Sequence, residues 1–285
     1  MSFIRAAHPS DAPSHIFRSS ASEVRVTFFA TDENDDSIAA IDKDDFAIVD
    51  GDAIVRDFRS LAHSEETEMD AVLLVDASAS VATRFRAITS DIAQLLSEKR
   101  VDVSDLSVIS FSGLNPTVLC AHNCSDPKIA RQLLSLTPSG PTPLYDSVIF
   151  AADLISRKRM SGIRPVLVLL SDGDDSISKT SLKDALTVLT ASGALVYTVD
   201  LNRHAYESPV LWQMSELTGG RYLRAGTGAR GAMQAAVEDL QNSYVVTYEP
   251  PNLKVGYHTI RLLPRHNLNL RFHCRSGYYY GSEGP

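Results

Sequence analysis

Three runs in this chain are apolar on every residue or nearly so: AVLLV at 71–75, VLVLL at 166–170 and ALVYTV at 194–199. A strand that is apolar on both faces must be covered on both faces, which is the situation of parallel strands in an α/β protein. The intervening segments switch period. Val81, Phe85, Ile88, Ile92 and Leu95 recur at helical spacing after the first run, as expected for an amphipathic helix lying on a sheet. A further strand is expected at 106–112 and another at 117–121, with helices at about 127–136, 144–158, 181–193, 211–217 and 232–242 and a short strand at RYLRA. Gly193 supplies a stop for one helix and Gly219–Gly220 for the next. Residues 67–242 therefore read as an α/β unit, Rossmann-like and doubly wound, around a mostly parallel sheet.

The flanks have a different grain. Val24, Val26 and Phe28 alternate with Arg25 and Thr27, and short runs at 46–51 and 54–58 surround an Asp-Gly turn. At the other end, Tyr244, Val246 and Tyr248, and then Leu268, Leu270, Phe272 and Cys274, again repeat every second residue. Residues 22–66 carry 13 acidic and 4 basic residues, whereas 251–285 carry five basic and one acidic. Neither set of strands is large enough to stand alone. The expectation is one small β-sandwich-like module built from 22–66 and 243–281, with the α/β unit inserted between its halves.

With 285 residues the chain can bury enough surface to need neither disulfide nor metal for folding. A formal net charge of −8 argues against a basic groove, so no nucleic-acid partner is expected. No apolar run reaches the roughly 20 residues of a membrane helix, so no transmembrane segment is expected. The first 21 residues lack an apolar h-region and read as a disordered tail without a signal peptide.

The chemistry concentrates at strand ends. DASAS, with Asp76, Ser78 and Ser80, follows the first buried strand and leads into a helix, the place where open α/β sheets bind ligands. One carboxylate and two hydroxyls on a tight loop are hard oxygen donors, suited to magnesium, manganese or calcium. The same spacing recurs at Asp174, Ser176 and Ser178, but already past the end of its strand. Asp172 ends the strand VLVLLS, and Thr142 lies in the Gly/Pro loop SGPTPLYDS that opens another helix. Three loops thus offer Asp76, Ser78, Ser80, Thr142 and Asp172 to one point.

DASAS, SGPTPLYDS and VLVLLSDGDD, in that order over residues 67–242, resemble the von Willebrand factor type A (VWA) domain and its metal-ion-dependent adhesion site. The resemblance implies hydroxyl ligation by Ser78, Ser80 and Thr142, with Asp76 and Asp172 acting through carboxylates, partly via water. The flanks VRVTFFATDENDDSIAAIDKDDFAIVDG and SYVVTYEPP…LRFHCRSGYYYG resemble those of a bacterial family of VWFA-related proteins of the acidobacterial type. That family is usually exported, which implies a periplasmic or secreted location; without export the chain would be cytoplasmic.

The function expected is binding, not catalysis: a divalent ion, Mg2+ or alternatively Mn2+ or Ca2+, receives an Asp or Glu carboxylate from a protein partner. Two other readings stand beside it, a metal-assisted hydrolase or nucleotide-binding enzyme in the same pocket, and an assembly module with a vestigial site. Weaker motifs have simpler readings. GTGARG at 226–231 reads as a loop before the last helix, and Asp32, Asn34 and Asp36 read as a solvated turn, since Ser37 and Lys43 stand where a calcium loop needs Gly and Glu. Cys120, His122 and Cys124 read as loop residues or a small disulfide ahead of a zinc site, for want of a fourth ligand. Trp212, with Leu211 and Met214, reads as core packing.

Overall fold

In the computed structural model, residues 23–98, 103–124, 127–158, 163–202 and 206–281 are described, and the expected tail over 1–21 lies outside them. Four strands come first: β1 (Val24–Thr31), β2 (Phe46–Asp50), β3 (Ala53–Val55) and β4 (Phe58–His63). The run 54–58 is not one strand. The exposed pair Arg56–Asp57 separates β3, which forms a hairpin with β2 through Gly51 at φ +60°, from β4, which joins another sheet.

The middle of the chain builds the α/β unit. Its strands are β5 (Met69–Asp76), β6 (Asp105–Ser112), β7 (Asn115–Cys120), β8 (Arg164–Ser171), β9 (Leu195–Asp200) and β10 (Tyr222–Arg224), in the order β10-β9-β8-β5-β6-β7. All neighbours are parallel except β6 and β7, which form an antiparallel edge hairpin. The helices are α1 (Phe85–Glu98), α2 (Pro127–Ser135), α3 (Leu144–Lys158), α4 (Leu182–Ser192), α5 (Pro209–Thr218) and α6 (Arg230–Gln241). Successive residues of β5 face opposite layers, as the pleat requires. Val72 and Leu74 pack with α3, α4 and α5, whereas Leu73 and Val75 pack with α1, α2 and α6. The double covering explains why β5 is apolar without alternation.

The last strands are β11 (Tyr244–Tyr248), β12 (Gly256–Pro264), β13 (Arg271–Cys274) and β14 (Gly277–Tyr280). They complete two four-stranded sheets, β13-β1-β11-β4 and β14-β12-β2-β3, each made from both ends of the chain. Val26, Phe28 and Val246 of one sheet share an apolar core with Phe46, Ile48 and Ile260 of the other. β1 is more buried than its alternation predicts. Phe28 enters this core, while Phe29, on the opposite face, is equally buried and packs with Tyr197, Met69, Ala236 and Leu240. The outer face of that sheet is covered by the α/β unit, so both faces of β1 are apolar at this point.

Candidate functional site

The carboxyl ends of β5, β8 and β9 lie side by side, and β5 and β8 end in polar residues that are almost wholly buried. Asp76 closes β5 at 0% exposure, and its two oxygens are held from different directions. Ser78 N donates to Oδ1 at 2.9 Å, the Asx turn favoured by the Asp-x-Ser spacing. Ser171 Oγ, at the end of β8, donates to Oδ2 at 2.7 Å. Burial pushes the Asp76 carboxyl up to about 6; the hydrogen bonds from Ser78 and Ser171 oppose that rise, and the charge of Asp172 adds to it.

The hydroxyls converge on the same loop. Ser78 Oγ and Ser80 Oγ lie 2.9 Å apart, with Ser78 fully buried and Ser80 exposed. Backbone bonds lace this loop to the one bearing Thr142: Ala79 N donates to Gly140 O at 3.0 Å, and Ser139 N donates to Ala77 O at 2.9 Å. Gly140, at φ +78°, lies against Gly113, and a β-carbon there would reach to 3.4 Å from the Gly113 nitrogen. Thr142 is 4% exposed and pairs through its backbone with Ser176, whose Oγ accepts Thr142 N at 2.8 Å and whose N donates to Thr142 O at 2.9 Å. The second Asp-x-Ser-x-Ser spacing is thereby accounted for. Ser176 braces Thr142, and Ser178 Oγ accepts Asp146 N at the start of α3.

Asp172 is 7% exposed, accepts Asp174 N at Oδ1 and takes Asn202 Nδ2 on its backbone carbonyl at 2.9 Å. Gly173 follows at φ +81°, where a β-carbon would collide with the Ser208 hydroxyl. The five expected residues therefore sit on three hydrogen-bonded loops at the carboxyl end of the sheet. Two carboxylates and three hydroxyls form an all-oxygen donor set, which suits a hard divalent ion better than a soft one.

Two contributors escape the sequence reading. Ser171 is hidden as the last residue of an apolar strand, although its place beside Asp172 is a signal. Arg84 is buried, and its guanidinium donates to the carbonyls of Leu201 and Asn202 after β9 and of Ala225 and Gly226 after β10. A cation four residues past Ser80, in the turn that leads into α1 beside the buried Val81 and Phe85, is the available hint. Trp212 corrects an expectation: it is 48% exposed, because Leu211 and Met214 occupy the inward face of α5.

Comparison with known proteins agrees with this geometry. A family model described as the von Willebrand factor type A domain matches residues 71–174. The magnesium-chelatase 67 kDa subunit of Chlorobaculum tepidum is 27% identical over 170 residues, covering 53% of this chain and 27% of that protein. The subunit of the same name from Chlorobaculum parvum is 30% identical over 115 residues, covering 40% of this chain and 19% of that protein. The chain thus spans about a quarter or less of the length of these relatives. Among solved structures, proximal thread matrix protein 1 from the mussel byssus, with a zinc-occupied MIDAS motif, superposes with a TM-score of 0.51 at 15% identity, over 67% of this chain and 49% of that one. The order of strands, the buried loops at their carboxyl ends and the family match agree over residues 71–174, which are similar to the von Willebrand factor type A domain.

Proposed function

We propose that this chain is a divalent-metal-dependent protein-binding module of the adhesion type, with Asp76, Ser78, Ser80, Thr142 and Asp172 holding Mg2+, or Mn2+ or Ca2+ in its place. The supporting observation is the Asp76 carboxylate, wholly buried, fixed at both oxygens and flanked by the Ser78–Ser80 hydroxyl pair and by the charge of Asp172. Removing two carboxylates from water is costly unless a compensating positive charge is supplied. A bound ion supplies that charge, together with a coordination position open to a carboxylate from a partner's Asp or Glu.

The residues of the chain do the rest. Ser171 and the Ser78 amide orient Asp76 before any ligand arrives, so little order is lost on binding. Asp174 and Asp175, next along the Asp172 loop, repel an acidic partner in the metal-free form, which makes affinity steeply metal-dependent. We further assign 67–242 as the inserted VWA unit and 22–66 with 243–281 as the β module that carries it. We place the protein in the periplasm or outside the cell, in line with the resemblance of its flanks.

Titration calorimetry with MgCl2 and MnCl2 tests the reading. The parent chain binds one ion, and Asp76→Ala binds none while keeping its circular dichroism spectrum. A silent parent, or an Asp76→Ala variant that binds like the parent, overturns it.

A further inference from the structure

Cys120 and Cys124 are joined in a disulfide, with Cα atoms 5.8 Å apart across a separation of four residues. The restraint a disulfide places on the unfolded chain grows with the logarithm of the loop it closes, so a ring this small contributes least. The segment is also held without it. Ala121 O accepts from Ser107 Oγ at 2.7 Å and from Lys158 Nζ at 2.9 Å. Asn123 N donates to Asp105 Oδ1 at 2.7 Å, and Cys124 N donates to Leu106 O at 3.1 Å. Asp105 is itself fixed by Lys158 Nζ at 2.8 Å and by His122 Nδ1 at 2.9 Å. A loop pinned at three backbone positions, Ala121, Asn123 and Cys124, keeps its shape whether the bond is closed or open.

The two sulfurs sit in unequal surroundings. Cys120 is half-buried at the end of edge strand β7, whereas Cys124 is fully buried with Ile129 and Leu133. Cys124 also belongs to the wall of a cavity of about 820 Å3 bounded by Leu96, Leu106 and Met233. The His122 carbonyl lies 3.3 Å from Cys120 Sγ, placed to accept the thiol hydrogen once the bond opens. The reduced state therefore has an acceptor ready for the Cys120 thiol and an apolar core around the Cys124 thiol.

We propose that Cys120–Cys124 is an exchangeable disulfide that oxidises small-molecule thiols of the glutathione class. A thiolate attacks Cys120 Sγ, the more accessible sulfur; the Cys120–Cys124 bond breaks, a mixed disulfide forms at Cys120, and Cys124 leaves as a thiolate that takes up a proton. A second thiolate attacks the thiol-derived sulfur of the mixed disulfide and releases Cys120, which is protonated in turn. Two external thiols lose two electrons and become one disulfide, and the protein disulfide gains those electrons as two thiols. This step is independent of the metal-site reading, since β7 lies at the far edge of the sheet, beyond β6.

The experiment uses the full chain carrying Cys274→Ser, which removes the free thiol, in buffers of graded reduced-to-oxidised glutathione. The expected result is reversible opening and closing, read by mass spectrometry after thiol alkylation, with an unchanged circular dichroism spectrum. In oxidised glutathione, Cys124→Ser accumulates one glutathione adduct at Cys120, and Cys120→Ser forms its adduct at Cys124 at least about tenfold more slowly. A bond that stays closed in excess reduced glutathione until denaturant is added overturns the proposal, as does opening accompanied by loss of the fold. Equal adduct rates at the two positions overturn the assignment of Cys120 as the attacked sulfur.

Discussion

Ser171 donates its hydroxyl hydrogen to Asp76 Oδ2 across 2.7 Å, so the end of one parallel strand fixes the carboxylate at the end of its neighbour. Both residues are fully buried. Hydrogen bonds to charged groups contribute about 1.5–3 kcal/mol. Ser171→Ala is therefore expected to lower unfolding stability by about 2 kcal/mol and to weaken Mg2+ binding, because Asp76 loses one of its two anchors. Urea unfolding and calorimetry on the same preparation check the two effects.

Metal binding to the native state should appear as heat stability. An ion at one hundred times its dissociation constant contributes about 2.7 kcal/mol. For a chain of this size that raises the melting temperature by about 4–5 °C. Differential scanning calorimetry with MgCl2 against chelator checks this, and Asp76→Ala should melt at the same temperature in both.

Gly173 turns the chain between Asp172 and Asp174 in the left-handed region, against the Ser208 hydroxyl. Gly173→Ala introduces both backbone strain and a collision. A loss of more than about 1 kcal/mol in stability is expected. Mg2+ affinity falls with it, since the turn carries Asp172; Gly226→Ala, where a β-carbon meets open space, serves as a control with neither effect.

The junction between α6 and the β module should give a pH signature. Burial pushes the Asp239 carboxyl up to about 7, with Arg221 Nε at 3.1 Å pulling the other way. A carboxyl whose native pKa lies above its unfolded value of 3.8 binds its proton more tightly in the native state. Its contribution is present in full below about pH 4 and is lost as pH rises toward 7, with a slope of at most about 1.4 kcal/mol per pH unit. Burial and Arg221 push His273 down to about 4, so the native state prefers it neutral and its contribution disappears as pH falls through that range. The two slopes oppose each other. Asp239→Asn should therefore unmask the His273 slope: measured from pH 4 to pH 7, the variant gains stability relative to the parent as pH rises. Urea midpoints across that range check the sign.

Much of the fold was legible because burial on two faces and burial on one face leave different periods. β5, β8 and β9 read as unbroken apolar runs, and α3 was expected over the residues it occupies. What could not be read depends on contacts between segments far apart in the chain. Phe29 is buried because the α/β unit covers the outer face of β1, and nothing within 22–31 encodes that neighbour. The separation of β3 from β4 follows from their partners, β2 and β11, which lie in different sheets. At the site, spacing and strand context singled out Asp76, Ser78 and Ser80, and loop composition singled out Thr142. Ser171 stayed hidden because a buried serine at the end of an apolar strand reads as packing until its acceptor is known. Cys120 and Cys124 were a pair that spacing alone left undecided, since four residues suit a small disulfide and two free thiols alike.

The pairing of β1 with β11 has a consequence for synthesis. Val24 faces Tyr248 and Phe28 faces Tyr244, so β1 leaves the ribosome well before its partners, which lie more than two hundred residues downstream. At roughly 5–20 residues per second that wait lasts on the order of ten to forty seconds. Through that interval VRVTFFA is a sticky, unmatched template for any passing strand. A holdase that shields nascent β1 should therefore raise the yield of native protein, and a circular permutant that places β1 directly after β14 should need no such escort.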